Sequence, residues 1–158
     1  MPRAKCGFND SPPNAAPQLS GRDLLVSVGP TLLVDIGFDS KFDPAATPLK
    51  TPSASIQGVH ALVDTGASES CIDRDLADQL KLPIIDRRKI AGVGGAHEVN
   101  MYLAQIHVPS LTFTLYGAFA GVGLADGGQP HKALIGRTFL MRFTMIYTGS
   151  TGDVELYS

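Results

Sequence analysis

Ala61-Leu62-Val63-Asp64-Thr65-Gly66-Ala67-Ser68 is the stretch on which the fold turns. Gly58 to Val63 (GVHALV) is a short apolar run, suited to a buried strand. It delivers a carboxylate, Asp64, into a turn made by Thr65 and Gly66. Gly66 permits close backbone approach and the small Ala67 leaves room beside it. A carboxylate at the end of a buried strand costs free energy unless it is paired, hydrogen-bonded or protonated. Groups held at such a cost collect at functional sites. Asp-Thr-Gly alone is also an ordinary turn sequence, since Asp and Gly are both turn formers.

Downstream, Ile72, Leu76, Leu80 and Leu82 fall at near-helical spacing. With Asp73 as N-cap and Pro83 as stop, they predict one short helix over 73–81. Arg87 to His97 (RRKIAGVGGAH) has the shape of a hairpin whose tip, Ala91-Gly92-Val93-Gly94-Gly95, is glycine-rich. It lacks the Gly-Lys-Ser/Thr ending of a phosphate loop and the glycine spacing of a dinucleotide fingerprint. Residues 99–108 alternate as a strand, with the buried face open, and 111–122 is β-rich. Asp126 to Pro130 is a turn. Ala133-Leu134-Ile135 reads as an apolar strand running into Gly136-Arg137 and a helical turn at 138–141. A terminal hairpin follows, from 143–147 and 153–157.

Upstream, Thr31 to Phe38 predicts a strand, and Leu24 to Val28 a shorter β-type run stopped by Gly29-Pro30. The proline-bearing segment 39–55 reads as a long loop. Residues 1–21, with Pro2, Pro12, Pro13 and Pro17, read as a mobile tail. Many short strands and one helix predict an all-β, barrel-like domain over 22–158.

The bulk numbers exclude other classes. The 158 residues suit one domain. Formal net charge is −2 with no block of like charges, which argues against nucleic acid or a charged membrane surface as partner. No apolar stretch reaches the roughly eighteen residues a membrane span needs, and no apolar core of a signal peptide follows Met1 to Asp10. A soluble, cytoplasmic location is the expectation. The two cysteines, Cys6 and Cys71, do not suggest a disulfide framework. His60, His97, His107 and His131 lack zinc-ligand spacing, so no metal is expected.

The order of three features closely resembles the retropepsin-like family of aspartic peptidases. They are Asp64-Thr65-Gly66-Ala67, the glycine-rich hairpin at 90–97, and Leu134-Ile135-Gly136-Arg137 ahead of a short turn of helix. The resemblance covers roughly residues 31–157. One departure is Thr138, where the family usually has Asp or Asn; it weakens the polar contacts expected around Arg137 without touching the catalytic turn.

The resemblance implies an acid-protease barrel carrying half of an active site, with no cofactor. Asp64, Thr65 and Gly66 would be catalytic. Ala67, Ala91, Gly92, Val93, Gly94, Gly95 and Ile135 would contact an extended peptide. Gly136 and Arg137 would support the site. The chain holds one Asp-Thr-Gly, whereas the chemistry needs two carboxylates sharing a proton. A symmetric homodimer would supply the second. Three alternatives stand beside this. One is a silent peptide-binding or dimerisation module of the same fold. Another is a purely structural barrel domain. The third is a dormant precursor in which residues 1–21 obstruct the groove.

Overall fold

The computed structural model describes residues 1–45, 52, 54–92 and 94–158. In chain order the elements are β1 (Arg3–Lys5), α1 (Gly21–Val28), β2 (Thr31–Gly37), β3 (Ser55–Val63), β4 (Cys71–Asp73), α2 (Arg74–Gln79), β5 (Ile84–Gly92) and β6 (Gly95–Val108). A 3-10 turn, Pro109–Leu111, leads to β7 (Phe113–Val122), β8 (Ala133–Ile135), α3 (Arg137–Leu140), β9 (Thr144–Thr148) and β10 (Asp153–Tyr157). The fold is all-β with short helices, as expected from the resemblance.

The main sheet runs β2-β3-β8-β4-β7-β6-β5, and β2 also pairs with β6. That second pairing closes every strand of this sheet but β5 into a barrel. Among the described residues β5 pairs only with β6, so their hairpin stands out from the barrel as an arm. The core fills the barrel with alternate residues of its strands. Leu32, Val34 and Ile36 come from β2, Ala61 and Val63 from β3, and Tyr102, Ala104, Ile106 and Val108 from β6. Ile135 and Phe139 close the end nearest Asp64.

Asp73 caps α2, as its position predicts: a side-chain oxygen accepts from Leu76 N–H at 3.2 Å. The carboxylate is fully buried and also accepts from Leu124 N–H at 3.1 Å. One side chain thus fixes both the helix and the turn after β7.

Two expectations fail near the N-terminus. Leu24 to Val28 lies in helix α1, not in a strand. Ser20 caps it by accepting from Asp23 N–H, and Gly29, at φ 85°, ends it. Only Leu25 of the apolar run is buried, which is a helical rather than an alternating pattern. Residues 1–21 are not a free tail either. β1 pairs with β10 in a separate sheet, β1-β10-β9, with Ala4 opposite Leu156. Ala4 and Cys6 are buried in the core, and Phe8 packs against it. Of the expected loop 39–55, residues 46–51 and 53 lie outside the described residues. Its described beginning is held where Phe42 stacks on Tyr116 and where Asp39 N–H donates to Gln105.

Candidate active site

β3 runs parallel to β8, with Val63 opposite Ile135, and β4 runs antiparallel to β8, with Cys71 opposite Leu134. β8 therefore lies between the two strands that the Asp64 turn connects. The turn is forced to bridge over the end of β8, and the residues after β8 meet it from beneath. Asp64 N–H donates to Ile135 O at 2.9 Å. Gly66 N–H donates to Asp64 Oδ1 at 2.8 Å, which fixes one carboxylate oxygen inside the turn.

The segment 136–138 then grips the turn at successive points. Gly136 N–H donates to Ser70 Oγ at 3.0 Å. Arg137 N–H donates to Ala67 O at 2.9 Å and Thr138 N–H to Ser68 O at 3.0 Å. The Arg137 guanidinium donates to Thr65 O at 2.8 Å. Gly136 is required by space: a Cβ there would lie 2.6 Å from Glu69 O and 3.0 Å from Ala67 O. Gly136 and Arg137, placed by sequence as supports of the site, both touch the Asp64 turn.

Asp64 is half-buried, while Thr65 and Gly66 are exposed. The preceding apolar strand suggested a buried carboxylate at its end. Val63 is buried, but the strand ends there and the turn lies on the surface. Among the described residues the Thr65 hydroxyl makes no hydrogen bond.

Ile135 does not face the site. It is fully buried and belongs to the core. Leu134, its neighbour on the strand, points the opposite way and is half-buried. Leu134 stands in register between Leu62 and Cys71. Those three half-buried side chains form a row on the sheet face away from the core, one strand-step from Asp64. Sequence reading missed Leu134 and Cys71. Their signal was parity: residue 134 is flanked by two core residues, so it cannot itself be core. The Cys71 thiol is pushed up to about 11, chiefly by burial, with a bond to the Leu134 backbone opposing and the Asp64 charge adding to the rise. A group held so firmly protonated is a poor nucleophile.

The arm formed by β5 and β6 pairs Gly92 with Gly95 and Ala91 with Ala96. Gly95 has φ 101°, a conformation that favours glycine at this tip. Ala91, Gly92, Gly94 and Gly95 are exposed; Val93, the expected tip residue, lies outside the described residues. Between the arm and the end of β7 lies a cleft of about 570 Å³, with Arg74, Arg87, Ile90, His97, Asn100 and Asp126 on its walls. Arg74 and Asp126 pair across it at 2.9 Å.

A protein-family model described as gag-polyprotein putative aspartyl protease matches residues 54–142. That span is more than half of the chain. It runs from the start of β3 through the Asp64 turn, the arm and β8 to just past α3. The chain belongs to this family. Its barrel has the retropepsin-like fold. No curated protein matches the chain. Among the described residues, no helix is long and apolar enough to cross a membrane.

Proposed function

We propose that this protease-family chain is an aspartic endopeptidase that works as a homodimer, with Asp64 of each copy forming the catalytic pair. The observation that carries the reading is the Asp64 turn itself. It is a surface turn, pinned by backbone and guanidinium bonds, that presents one half-buried carboxylate, a threonine hydroxyl with no partner among the described residues, and a glycine. A single carboxylate cannot act as both base and acid in the same step. Two such turns meeting on a two-fold axis can, because like charges in contact share one proton.

The ionised carboxylate removes a proton from a water held between the two. That water attacks the carbonyl carbon of the peptide bond, and the protonated carboxylate donates to the developing oxyanion. The proton is then passed to the leaving amine as the carbon–nitrogen bond breaks. The pair titrates as a unit, so its two apparent pKa values belong to both copies. Thr65, whose hydroxyl has no partner among the described residues, would bond across the axis and lock the turns together. Gly66 and Ala67 would lie against the substrate backbone. Ala91 to Gly95 would fold over an extended peptide, which adds to the protein as a strand. Leu134, rather than Ile135, would border the side-chain pocket.

The test is cleavage of a mixed peptide library from acid to neutral pH by the natural protein and by Asp64→Asn. The variant keeps size and hydrogen bonding but cannot supply the shared proton pair. A loss of at least ~10³-fold in kcat/KM is expected. Equal cleavage by both proteins would refute the assignment. Cleavage by neither, with both folded and dimeric, would favour a silent peptide-binding module.

A further inference from the structure

We infer that the hydrogen bond from Tyr102 to Asp78 is a clamp that sets the resting position of the β5–β6 arm, which makes these two residues positioning residues for the peptide under the arm. The inference rests on the arm folding over an extended peptide, as proposed above, and names what holds it ready.

The arm begins where β6 leaves the barrel. Residues 101–108 of β6 pair with β7, and Met101 opposite Ala120 is the last of those pairs. Among the described residues, 95–100 pair with β5 alone. Tyr102 stands at the junction, paired with Phe119 of β7 on one side and Ile84 of β5 on the other. The register of β5 slips at the same level. Ile84 pairs with Tyr102 and Asp86 with Met101, so Ile85 has no partner in the ladder and is 54% exposed. A bulge of this kind bends its strand. Beyond it the two strands are tied to each other, since Arg87 Nε donates to Asn100 Oδ1 at 3.2 Å. The arm is thus one hairpin on a kinked root, and its angle to the barrel is decided at that root.

Tyr102 fixes the root at both ends of its side chain. The ring is fully buried and lies so close over Gly121 that a Cβ there would be 2.3 Å from Cε2. It has no room to tilt toward β7 without opening the core. The hydroxyl reaches out and donates to Asp78 Oδ1 at 2.6 Å, the length of a bond to an ionised acceptor. Burial, and next the bond to Asp78, push the Tyr102 phenol above its usual range, with Asn100 opposing, so the hydroxyl keeps its proton and donates.

Asp78 belongs to α2, which buries Leu76 and Ala77 and is capped by Asp73. α2 follows directly on β4, and β4 follows the Asp64 turn. Asp64 and Asp78 therefore lie on one short segment, and the bond from Tyr102 sets the root of the arm against the segment that carries the carboxylate. A clamped arm raises peptide affinity by reducing the ordering that binding must impose. Once a peptide lies beneath the arm as an added strand, the peptide itself holds the arm. The clamp therefore acts on KM and leaves kcat alone.

The experiment uses the full chain in four forms: natural, Tyr102→Phe, Asp78→Ala and Asp78→Asn. Amide hydrogen exchange is read separately over the arm, 86–100, and over the barrel part of β6, 104–108. KM and kcat are measured on a cleaved peptide. Tyr102→Phe keeps the buried ring and loses only the donor. Asp78 is exposed, so Asp78→Ala removes the acceptor without touching the core. Asp78→Asn keeps an acceptor oxygen and serves as the rescue. Tyr102→Phe and Asp78→Ala are each expected to speed exchange in the arm at least ~5-fold, with the barrel unchanged. KM should rise at least ~3-fold while kcat stays within about twofold. Asp78→Asn should stay near the natural protein on both readouts. Unchanged arm exchange and KM in the first two variants would overturn the clamp. So would exchange that quickens equally in arm and barrel while kcat falls, because the bond would then serve only the stability of the fold. Asp78→Asn as impaired as Asp78→Ala would show that the hydrogen bond is not the cause. A natural chain that cleaves nothing, but whose arm exchange responds as expected, would refute the peptidase reading and leave the clamp on the arm standing.

Discussion

Replacing Gly136 by alanine tests whether the Asp64 turn is held in place by the segment beneath it. Gly136 has φ −91° and ψ −174°, which any residue adopts, so the substitution carries no backbone strain. The whole effect comes from space. The new Cβ would sit 2.6 Å from Glu69 O and 2.7 Å from Glu69 C, both backbone atoms of the Asp64 loop. Ordinary contact begins at 3.4 Å, so turn and strand end must part by roughly 0.8 Å (3.4 − 2.6). Four bonds cross that gap, from Gly136 N–H, Arg137 N–H, Thr138 N–H and the Arg137 guanidinium, and each would stretch. Overpacking of this kind costs about 1–3 kcal/mol, which for a chain of this size lowers Tm by roughly 2–12 °C. Displacing a reacting group by about 1 Å costs about 10²-fold in rate. Scanning calorimetry and kcat/KM on a cleaved peptide would measure the two effects. Gly92→Ala is the stability control, because a Cβ there meets nothing within 4 Å. If Gly136→Ala keeps its Tm and stays within threefold of natural kcat/KM, the clamp does not position the turn and the reasoning is wrong.

Two more outcomes are expected. Deleting residues 1–8 removes β1 and the buried Ala4 and Cys6 side chains, at a cost on the order of 3–5 kcal/mol. A large fall in the urea midpoint would be seen, without any gain of activity; an unchanged midpoint would restore the mobile-tail reading. Stability should also decline in mild acid. His107 and His131 are both held below the usual 6.5, chiefly by burial; Asp35 partly offsets this at His107, and the His60 charge adds to it at His131. The unfolded chain then takes up protons that the folded chain refuses. Their contribution is complete above about pH 6.5 and is lost as pH falls from there through the folded values. In an Asp64→Asn background, the slope of Tm against pH between 7 and 5 should flatten in His131→Gln. Identical slopes would show that this histidine titrates freely.

What was legible in the sequence was local. The strand ending at Asp64, the Asp73 cap, the glycine-tipped hairpin and the Ala133-Leu134-Ile135-Gly136 strand end each carry their signal within a few residues. What was not legible depended on distant partners or on period. Leu24 to Val28 is too short to separate alternation from a helical turn, and the deciding features, Ser20 and Gly29, flank it. Arg3 to Lys5 has no strand pattern of its own. It becomes a strand because residues from the far end of the chain, Glu155 to Tyr157, supply its pairing. Ile135 was assigned to the pocket although strand parity allows only one of residues 134 and 135 to face it. Burial of Ile135 settles that choice against it.

Thr138 shows why a motif and its geometry must be separated. The family usually has an acidic or amide side chain at that position, and threonine was expected to weaken the polar contacts around Arg137 without touching the catalytic turn. The guanidinium instead reaches Thr65 O directly, and residue 138 contributes through its backbone N–H to Ser68 O. A backbone donor is indifferent to the side chain that follows it. Thr138 is exposed, so its hydroxyl is free of the task the family residue performs. The grip on the Asp64 turn therefore depends on Gly136 for room and on Arg137 for reach, and position 138 needs only a residue that is not proline. By that reasoning the departure from the family pattern does not weaken the site, whereas a methyl group on Gly136 would.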